Sequence, residues 1–205
     1  MLIVAAMREP HFLAADISSL RRKVVPAVYV FGDASTSTGG GGWMGPSTDE
    51  SSFTREAMIR WSPAELLAFE KFGEEREGKP VDINVMEYFV IVYLVMLWGR
   101  ELRGKCVGIR CDNTAAVSWL QKHRASNKSP IGETLVHVFS LFCITNQITL
   151  VPLHIQGVLN VKADFNSRCI DVDVLKVQEL GTSEQVDLKD EEWWKGLSRE
   201  AICRN

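Results

Sequence analysis

The chain has 205 residues, of which 46% are hydrophobic and 24% charged, and its net charge is −3. This length gives room for one sizeable core with appendages, and the composition is that of an ordinary soluble globular protein. The negative charge excludes a global basic field, so a nucleic-acid partner would require a local basic patch or a metal site.

The cysteines and the N-terminus bear on the compartment. There are five cysteines, an odd number, and no CxxC pair. This usage predicts a reduced, intracellular protein, in the cytoplasm or the nucleus. No signal peptide is predicted, because Arg8 and Glu9 follow the short MLIVAAM segment at once. The longest uncharged apolar run, at 88–98, is shorter than the roughly 20 residues that span a bilayer, so no membrane partner is expected.

Periodicity and turn residues predict an alternation of strands and helices. The first three strands form an antiparallel meander, with a glycine-rich turn between the first two. The predicted elements are strands at 28–36, 43–45 and 53–61 with a turn at 39–42, a helix from Ser62, a long buried helix at 82–103, a strand at 106–112, helices at 113–122 and 130–146, a strand at 148–155 and a helix at 161–168.

This order predicts a mixed α/β domain over residues 28–168, with helices packed on a sheet. Residues 1–27 are interpreted as a lead-in or connection. Residues 169–205 are interpreted as a C-terminal appendage, predicted to be helical, that carries Trp193 and Trp194. These two tryptophans either cover the domain's own core or meet a partner.

Four carboxylates stand in four different local settings: Asp33 in VYVFGDAST, Glu87 in INVMEYFVIVYLVMLW, Asp112 in CVGIRCDNTAAV and Asp164 in HIQGVLNVKADFNSR. Three of them adjoin strongly apolar segments, where an isolated carboxylate is costly unless it is paired or binds a metal. If the four converge, they would form a site for hard divalent cations and phosphoryl chemistry.

Three of these acids also have ordinary structural explanations when each is considered alone. Asp33 can cap a turn, and Glu87 can form a satisfied salt bridge within its helix. Asp112 can cap the helix that begins at Asn113. Asp112 also stands at the carboxyl end of a strand, the edge at which α/β sheets tend to place their sites.

Asp164 is a candidate because of nearby polar residues: His154 precedes it by ten residues and Asn160 by four. In order and in local sequence, these motifs resemble the ribonuclease H family. The phrases INVMEYFVIVYL, RCDNTAAVSWLQK and HIQGVLNVKADFNSR are similar to the ribonuclease H domains of retroelement polyproteins, especially DIRS-like and gypsy-like reverse transcriptases. The resemblance covers residues 28–168 and implies a ribonuclease H-like α/β fold. Its five-stranded mixed sheet would have three antiparallel first strands and helices packed on it.

The resemblance implies a metal-dependent endonuclease that cleaves the RNA strand of RNA–DNA hybrids. Asp33, Glu87, Asp112 and Asp164 would hold two Mg²⁺ ions, for which Mn²⁺ would substitute. His154, on a mobile loop, would assist proton transfer or product release. The expected partners are the hybrid itself and a reverse transcriptase polymerase domain.

Further residues are assigned to the substrate by the same resemblance. Ser35 and Asn113 are expected to hydrogen-bond the hybrid, and Asn160 to orient the His154 loop or the attacking side. A cluster at 122–124 with Lys128 stands where some family members carry a basic substrate-gripping protrusion, although a solvated loop explains it better. The small number of basic residues there, together with the negative net charge, predicts weak intrinsic affinity for a hybrid.

The alternative is a non-catalytic ribonuclease H-like scaffold or nucleic-acid-binding module, a use that the fold tolerates. The presence of all four acids favours the enzyme. Two other classes on the same fold are disfavoured. The 3′–5′ exonucleases need Asp-x-Glu on the first strand, where this chain has Ser35 two residues after Asp33. Integrase-like enzymes need a glutamate as the last acid, where this chain has Asp164.

Overall fold

The computed structural model describes residues 25–63, 66, 69, 83–125, 130–169 and 182–185. The predicted lead-in is therefore described only from residue 25 onward. The helix predicted around Trp193 and Trp194 lies outside the described residues. Within the described ranges, no helix combines the length and the apolar character that crossing a bilayer requires.

The described strands and helices up to residue 168 follow the predicted chain order. The strands are β1 (Val28–Ala34), β2 (Gly39–Gly45), β3 (Arg55–Arg60), β4 (Cys106–Cys111), β5 (Thr149–His154) and β6 (Thr182–Gln185). The helices are α1 (Ile83–Leu97), α2 (Gly99–Leu102), α3 (Thr114–Lys122), α4 (Pro130–Thr145) and α5 (Val161–Arg168), with short 3₁₀ helices at Glu50–Ser52 and Gly157–Leu159. Pro63, Leu66 and Phe69 are helical too, in agreement with the helix predicted from Ser62.

The strands form one mixed sheet in the order β5-β4-β1-β2-β3-β6. β2 pairs antiparallel with β1 and with β3, whereas β4 is parallel to β1 and to β5. This arrangement confirms the predicted five-stranded mixed sheet with its antiparallel first three strands, and it is a ribonuclease H-like fold. The sixth strand, β6, lies parallel to β3. It was not predicted, because its residues TSEQ carry none of the apolar alternation that marks a strand.

The core is built around α1, whose residues 85–95 are all buried. Its sequence is apolar all round, as expected of a helix that is covered on every side. α3 and α4 both contact α1. Tyr88 of α1 meets the ring of Trp119 in α3 and the ring of Phe139 in α4. The predicted helix at 82–103 is interrupted at Trp98, between α1 and α2.

The four consecutive glycines lie in β2, so the turn predicted at 39–42 was wrong. The chain instead turns between Ala34 and Gly39. Packing explains the glycines: a Cβ on Gly40 would lie 2.2 Å from Val90 Cγ2 of α1, and one on Gly41 would lie 2.6 Å from the backbone carbon of Asn166 in α5. Because side chains alternate across a strand, these two contacts are on opposite faces of the sheet. The glycines therefore let both helices approach the centre of the sheet closely.

The topology places all four predicted acids near one edge of the sheet. β1 and β4 are adjacent and parallel, so their carboxyl ends meet, and these ends carry Asp33 and Asp112. α1 packs on β1 and β2 from one face and brings Glu87, while α5 packs on the same strands and brings Asp164.

Candidate metal centre

Asp33 lies at the end of β1, opposite Gly41 of β2, and only 5% of it is exposed. The hydroxyl of Ser167 in α5 donates a hydrogen bond of 2.5 Å to its Oδ2 atom. Burial is the main cause that raises the pKa of Asp33 to about 6. The carboxylates of Asp112 and Asp164 raise it further, whereas the Ser167 hydrogen bond acts in the opposite direction. Asp33 is therefore a buried acid in the field of two others.

Glu87 is the most strongly perturbed carboxylate that the structure describes. Burial, followed by the charges of Asp33 and Asp112, raises its pKa to about 9. Its carboxylate accepts a hydrogen bond from the backbone of Ala34, and the Cys111 thiol lies 3.8 Å from Oε2. Among the described residues, no lysine or arginine pairs with it. The salt bridge that could have explained Glu87 is thus not found in that part of the chain.

Asp112 follows β4 directly, and one of its carboxylate oxygens lies close to donor atoms of two other residues. One donor atom each from Glu87, Cys111 and Asp112 lies within 4.8 Å of the others. A Cβ on Gly157 would lie 2.9 Å from Asp112 Oδ2, so the loop after β5 passes directly beside this carboxylate. Asp112 is half-buried, between the buried Glu87 and the solvent.

Asp164 lies on α5 and is more exposed than the buried Asp33 and Glu87. Both Nε and Nη2 of Arg168 donate to its Oδ1 atom, at 2.8 Å and 2.7 Å. Ser167 Oγ lies 2.9 Å from the Asp164 carbonyl oxygen and so links this turn of α5 to Asp33. The charges of the four predicted acids thus act on one another. Glu87 and Asp112 also have one carboxylate oxygen each within 4.8 Å of the other.

Two buried asparagines hold α5 against the sheet. Asn160, with no exposed surface, donates from Nδ2 to the carbonyl of Gly32 at 3.2 Å. Asn166 donates to the carbonyl of Gly42 at the same distance. The Oδ1 atom of Asn160 is buried and has no hydrogen-bond partner among the described residues. Asn160 thus ties the start of α5 to β1, and its predicted role toward the substrate stays a prediction.

Lys162 fixes the first turn of α5 to the same sheet. Its ammonium group pairs with the buried Glu56 at 2.8 Å and lies 3.8 Å from the centre of the Phe53 ring. Its backbone N–H donates to Glu50 Oε1 at 3.2 Å. A partly buried pair of this kind is costly to break on one side, because the other charge is left without its partner.

His154 is exposed and is the last residue of β5, paired with Cys111 of β4. The prediction that it lies on a mobile loop was therefore wrong, because the parallel pairing of β4 and β5 continues up to it. Its Nε2 lies 3.0 Å from the carbonyl oxygen of Asp112, so Nε2 carries the proton in this arrangement. Nδ1 is then the ring nitrogen that can accept a proton at the edge of the site.

The side chains of Ser35 and Asn113 have structural hydrogen bonds. Ser35 Oγ donates to the Thr38 hydroxyl and accepts from the Thr38 backbone within the β1–β2 turn. Asn113 caps α3, since Oδ1 accepts from two N–H groups of the first turn, and its Nδ2 donates to Asn84 Oδ1 at 3.0 Å. Both are half-buried beside the site, and their contact with a hybrid stays a prediction.

The predicted basic cluster lies at the carboxyl end of α3. Lys122, His123 and Arg124 are exposed, and His123 ends the helix in the left-handed conformation with φ 49°. Lys128 lies outside the described residues. The described part is a helix end in solvent, as the solvated-loop interpretation expects.

Sequence reasoning missed three residues at the site. Ser167 and Arg168 stand three and four positions after Asp164, the spacing that places side chains on one face of a helix, so helical periodicity could have found them. Cys111 belongs to the main core. Its proximity to Glu87 depends on how α1 packs on the sheet, for which the sequence carries no signal.

The donor set fits hard divalent cations. Carboxylate oxygens are the ligands that Mg²⁺ and Mn²⁺ prefer. Burial is the main cause that raises the pKa of Asp33 and of Glu87, and repulsion by the neighbouring carboxylates raises both further. A bound divalent cation would offset this repulsion. Glu87 and Asp112 already have donor atoms within 4.8 Å of each other, and Asp33 and Asp164 are the other two carboxylates that could hold it.

No protein-family model matches the sequence, and no curated protein matches it significantly. Similar solved structures include LC11-RNase H1, isolated from compost by a metagenomic approach, at 19% identity and a TM-score of 0.47 over 68% of this chain and 91% of that one. RNase H1 from the halophilic archaeon Halobacterium salinarum NRC-1 is 12% identical, with a TM-score of 0.45 over 68% and 92%.

The N-terminal RNase H domain of a Mycobacterium tuberculosis protein, solved as a fusion with maltose binding protein, is 14% identical. Its TM-score is 0.47, over 68% of this chain and 94% of that one. These similarities concern the fold. The function of this chain is therefore inferred from its own site residues.

Proposed function

We propose that this chain is a metal-dependent endonuclease that cleaves the RNA strand of RNA–DNA hybrids. The observation that supports it most is the meeting of four carboxylates from β1, α1, β4 and α5 at one sheet edge. Two of them, Asp33 and Glu87, are buried with raised pKa values. A scaffold has no need of clustered acids whose burial and repulsion reduce stability.

Asp33, Glu87, Asp112 and Asp164 are the proposed ligands of two Mg²⁺ ions. When bound, such ions supply an activated water and stabilise the leaving 3′-oxygen of a phosphodiester. The protein's part is to fix the carboxylates, which it does from two strands and two helices. The rigid elements α1 and β4 hold Glu87 and Asp112, and buried hydrogen bonds hold α5.

His154 is the proposed proton-transfer residue. Its ring lies at the solvent edge of the site, and the Nε2 contact with the Asp112 carbonyl orients it. Nδ1 is then available to take or return a proton during cleavage or product release. Ser35 and Asn113 are proposed to contact the hybrid through groups that the β1–β2 turn and the start of α3 present beside the acids.

The proposal includes a retroelement context. The phrases RCDNTAAVSWLQK and HIQGVLNVKADFNSR resemble the ribonuclease H domains of DIRS-like and gypsy-like elements. A reverse transcriptase polymerase domain would then supply the hybrid, in the cytoplasm or the nucleus. The prediction of weak intrinsic affinity agrees with such an arrangement, because a tethered partner raises the effective substrate concentration.

The test is incubation of the chain with an RNA–DNA hybrid labelled on the RNA strand, in Mg²⁺, in Mn²⁺ or in EDTA. We expect internal cleavage of the RNA strand with either metal and none in EDTA. Single-stranded RNA of the same sequence should stay intact. Absence of cleavage in both metals would contradict the proposal and favour the scaffold.

The Asp112→Asn variant connects activity to the site. It should abolish cleavage while the circular dichroism spectrum stays unchanged, because amide and carboxylate have the same shape. Asp49→Asn is the matched control, since Asp49 is an exposed aspartate whose carboxylate caps the 3₁₀ helix after β2 by accepting from the Ser51 backbone. Wild-type activity in Asp112→Asn would reject the site assignment.

A further inference from the structure

Arg168 stands at the rim of the carboxylate group, at the end of α5. Its side chain is 65% exposed, and two of its N–H groups converge on a single oxygen, Oδ1 of Asp164. A guanidinium carries five N–H donors. The remaining three make no hydrogen bond to any described residue. The preceding residue, Ser167, is hydrogen-bonded to Asp33, so Arg168 adjoins two of the four acids through Ser167 and Asp164.

A purely structural role explains this arginine poorly. An exposed ion pair four residues apart on a helix contributes only about 0.3–0.5 kcal/mol. α5 already has buried attachments through Asn160, Asn166 and the Lys162–Glu56 pair. Contacts other than the Arg168 ion pair therefore hold α5 on the sheet, which leaves the Arg168 charge open to another use.

Charge balance indicates that use. The four proposed ligands carry four negative charges and two divalent cations carry four positive ones, so the loaded site is neutral. A phosphodiester entering it adds one negative charge that this sum does not compensate. Arg168 carries the matching positive charge, and a guanidinium suits phosphate oxygens because it donates two parallel hydrogen bonds.

We infer that Arg168 is a substrate-binding residue that grips a phosphate of the hybrid backbone at the edge of the proposed metal site. The inference rests on the proposed function for the identity of the substrate. In the absence of substrate, Asp164 holds the guanidinium in place. When the hybrid binds, the N–H groups directed to solvent contact the phosphate.

The test is direct binding of a fluorescently labelled RNA–DNA hybrid, measured by anisotropy in EDTA over a series of NaCl concentrations. Arg168→Ala should raise Kd about five- to tenfold at low salt. It should also reduce the slope of log Kd against log [NaCl] by about one, as expected for the loss of one phosphate contact. Arg168→Lys should keep the salt dependence but lose part of the affinity, because lysine lacks the fork. Arg103→Ala is the matched control, since Arg103 is an exposed arginine just before the amino end of β4, opposite to the end that precedes Asp112.

A second comparison separates phosphate binding from mere neutralisation of Asp164. In an Asp164→Asn background there is no carboxylate left to neutralise. Adding Arg168→Ala to that background should still weaken binding about fivefold if the guanidinium contacts the phosphate. Equal affinities of Asp164→Asn with and without Arg168 would overturn the inference.

The measurement is independent of catalysis, because EDTA prevents metal-dependent cleavage. If the wild type fails to cleave hybrids in Mg²⁺ or Mn²⁺ while Arg168→Ala still weakens binding, the proposed nuclease function fails and the assignment of Arg168 as a phosphate-binding residue stands. If Arg168→Ala binds as tightly as Arg103→Ala, the assignment fails whether or not the wild type cleaves.

Discussion

At the scale of single residues, the buried acids of the site lower the stability of the metal-free fold. A carboxyl group with a higher pKa in the folded chain than in the unfolded chain holds its proton more tightly when folded. Its favourable contribution is therefore lost as pH rises from the unfolded value to the folded one. For Glu87 this window runs from 4.5 to about 9, and for Asp33 from 3.8 to about 6. At neutral pH the loss due to Asp33 is already complete, whereas the loss due to Glu87 still grows as pH rises.

We therefore expect Glu87→Gln to stabilise the metal-free protein, and to do so increasingly as pH rises from 6.5 to 8.5. The amide has the size of the carboxyl group and no proton to lose. In EDTA at pH 8.5, its melting temperature should exceed that of the wild type by at least about 2 °C, with a smaller difference at pH 6.5. Thermal unfolding followed by circular dichroism at both pH values measures this.

The response to Mg²⁺ also distinguishes Glu87→Gln from the wild type. The cation should raise the melting temperature of the wild type, since it binds the folded state only, and should raise that of Glu87→Gln much less. Asp49→Asn, in which the changed side chain only caps an exposed 3₁₀ helix, should respond to Mg²⁺ as the wild type does. A melting temperature for Glu87→Gln that falls with pH as steeply as the wild-type value would show that Glu87 is not the group responsible.

At the scale of elements, the position of α5 depends on the absence of side chains in β2. A Cβ on Gly41 would lie 2.6 Å from the backbone carbon of Asn166 and 2.9 Å from its carbonyl oxygen. Backbone atoms cannot yield as the tip of a side chain can, so α5 would have to shift. Asp164 and Ser167 would move with it, and Ser167 is hydrogen-bonded to Asp33 across the β1–α5 contact.

Gly41→Ala is accordingly expected to reduce both stability and cleavage. Overpacking of this kind costs about 1–3 kcal/mol. Cleavage should fall at least about tenfold, because sub-ångström displacements matter at a reacting centre. Urea unfolding and hybrid cleavage measure the two effects at a temperature at which the variant is folded.

The matched control is Gly32→Ala, the same substitution in the neighbouring strand. There the new Cβ would meet the Ile91 Cδ1 atom at 2.6 Å, which is the end of a flexible side chain on α1. Its unfolding free energy should therefore fall less than that of Gly41→Ala. Equal losses of stability and activity in the two variants would contradict the special role of the α5 contact.

The same glycines show what the sequence could and could not reveal about the fold. The strands β1, β4 and β5 and the helix α1 were predictable, because each carries a local apolar pattern of the right length. A run of four glycines reads locally as a turn, yet it forms the start of β2 because α1 and α5 leave no room for side chains. β6 pairs with β3 without any apolar pattern of its own.

The site, too, has residues that the sequence indicates and contacts that it does not. Local context and order along the chain single out Asp33, Glu87, Asp112 and Asp164, and in the structure their charges act on one another. The contacts that fix them were not predictable, because Ser167 reaches Asp33 over 134 positions of sequence. Such contacts follow from sheet order and helix packing, which no local pattern specifies.

At the scale of the whole molecule, the negative net charge weakens binding of the proposed polyanionic substrate. The chain carries 26 acidic and 23 basic residues, and four of the acids gather where a polyanion would bind. Metal ions would neutralise that group but would add no excess positive charge. The basic residues of the described surface near α3, Lys122 and Arg124, form a small patch at most.

The isolated chain should therefore bind an RNA–DNA hybrid only weakly, with a Kd above about 10⁻⁶ M at physiological salt. Lower salt should strengthen binding, because the few phosphate contacts, including that of Arg168, are electrostatic and release counterions. Anisotropy titration at about 0.15 M and 0.03 M NaCl, with EDTA present to prevent cleavage, measures both. Micromolar or tighter binding at the higher salt would mean that this surface grips hybrids by itself, and the need for a tethered polymerase partner would disappear.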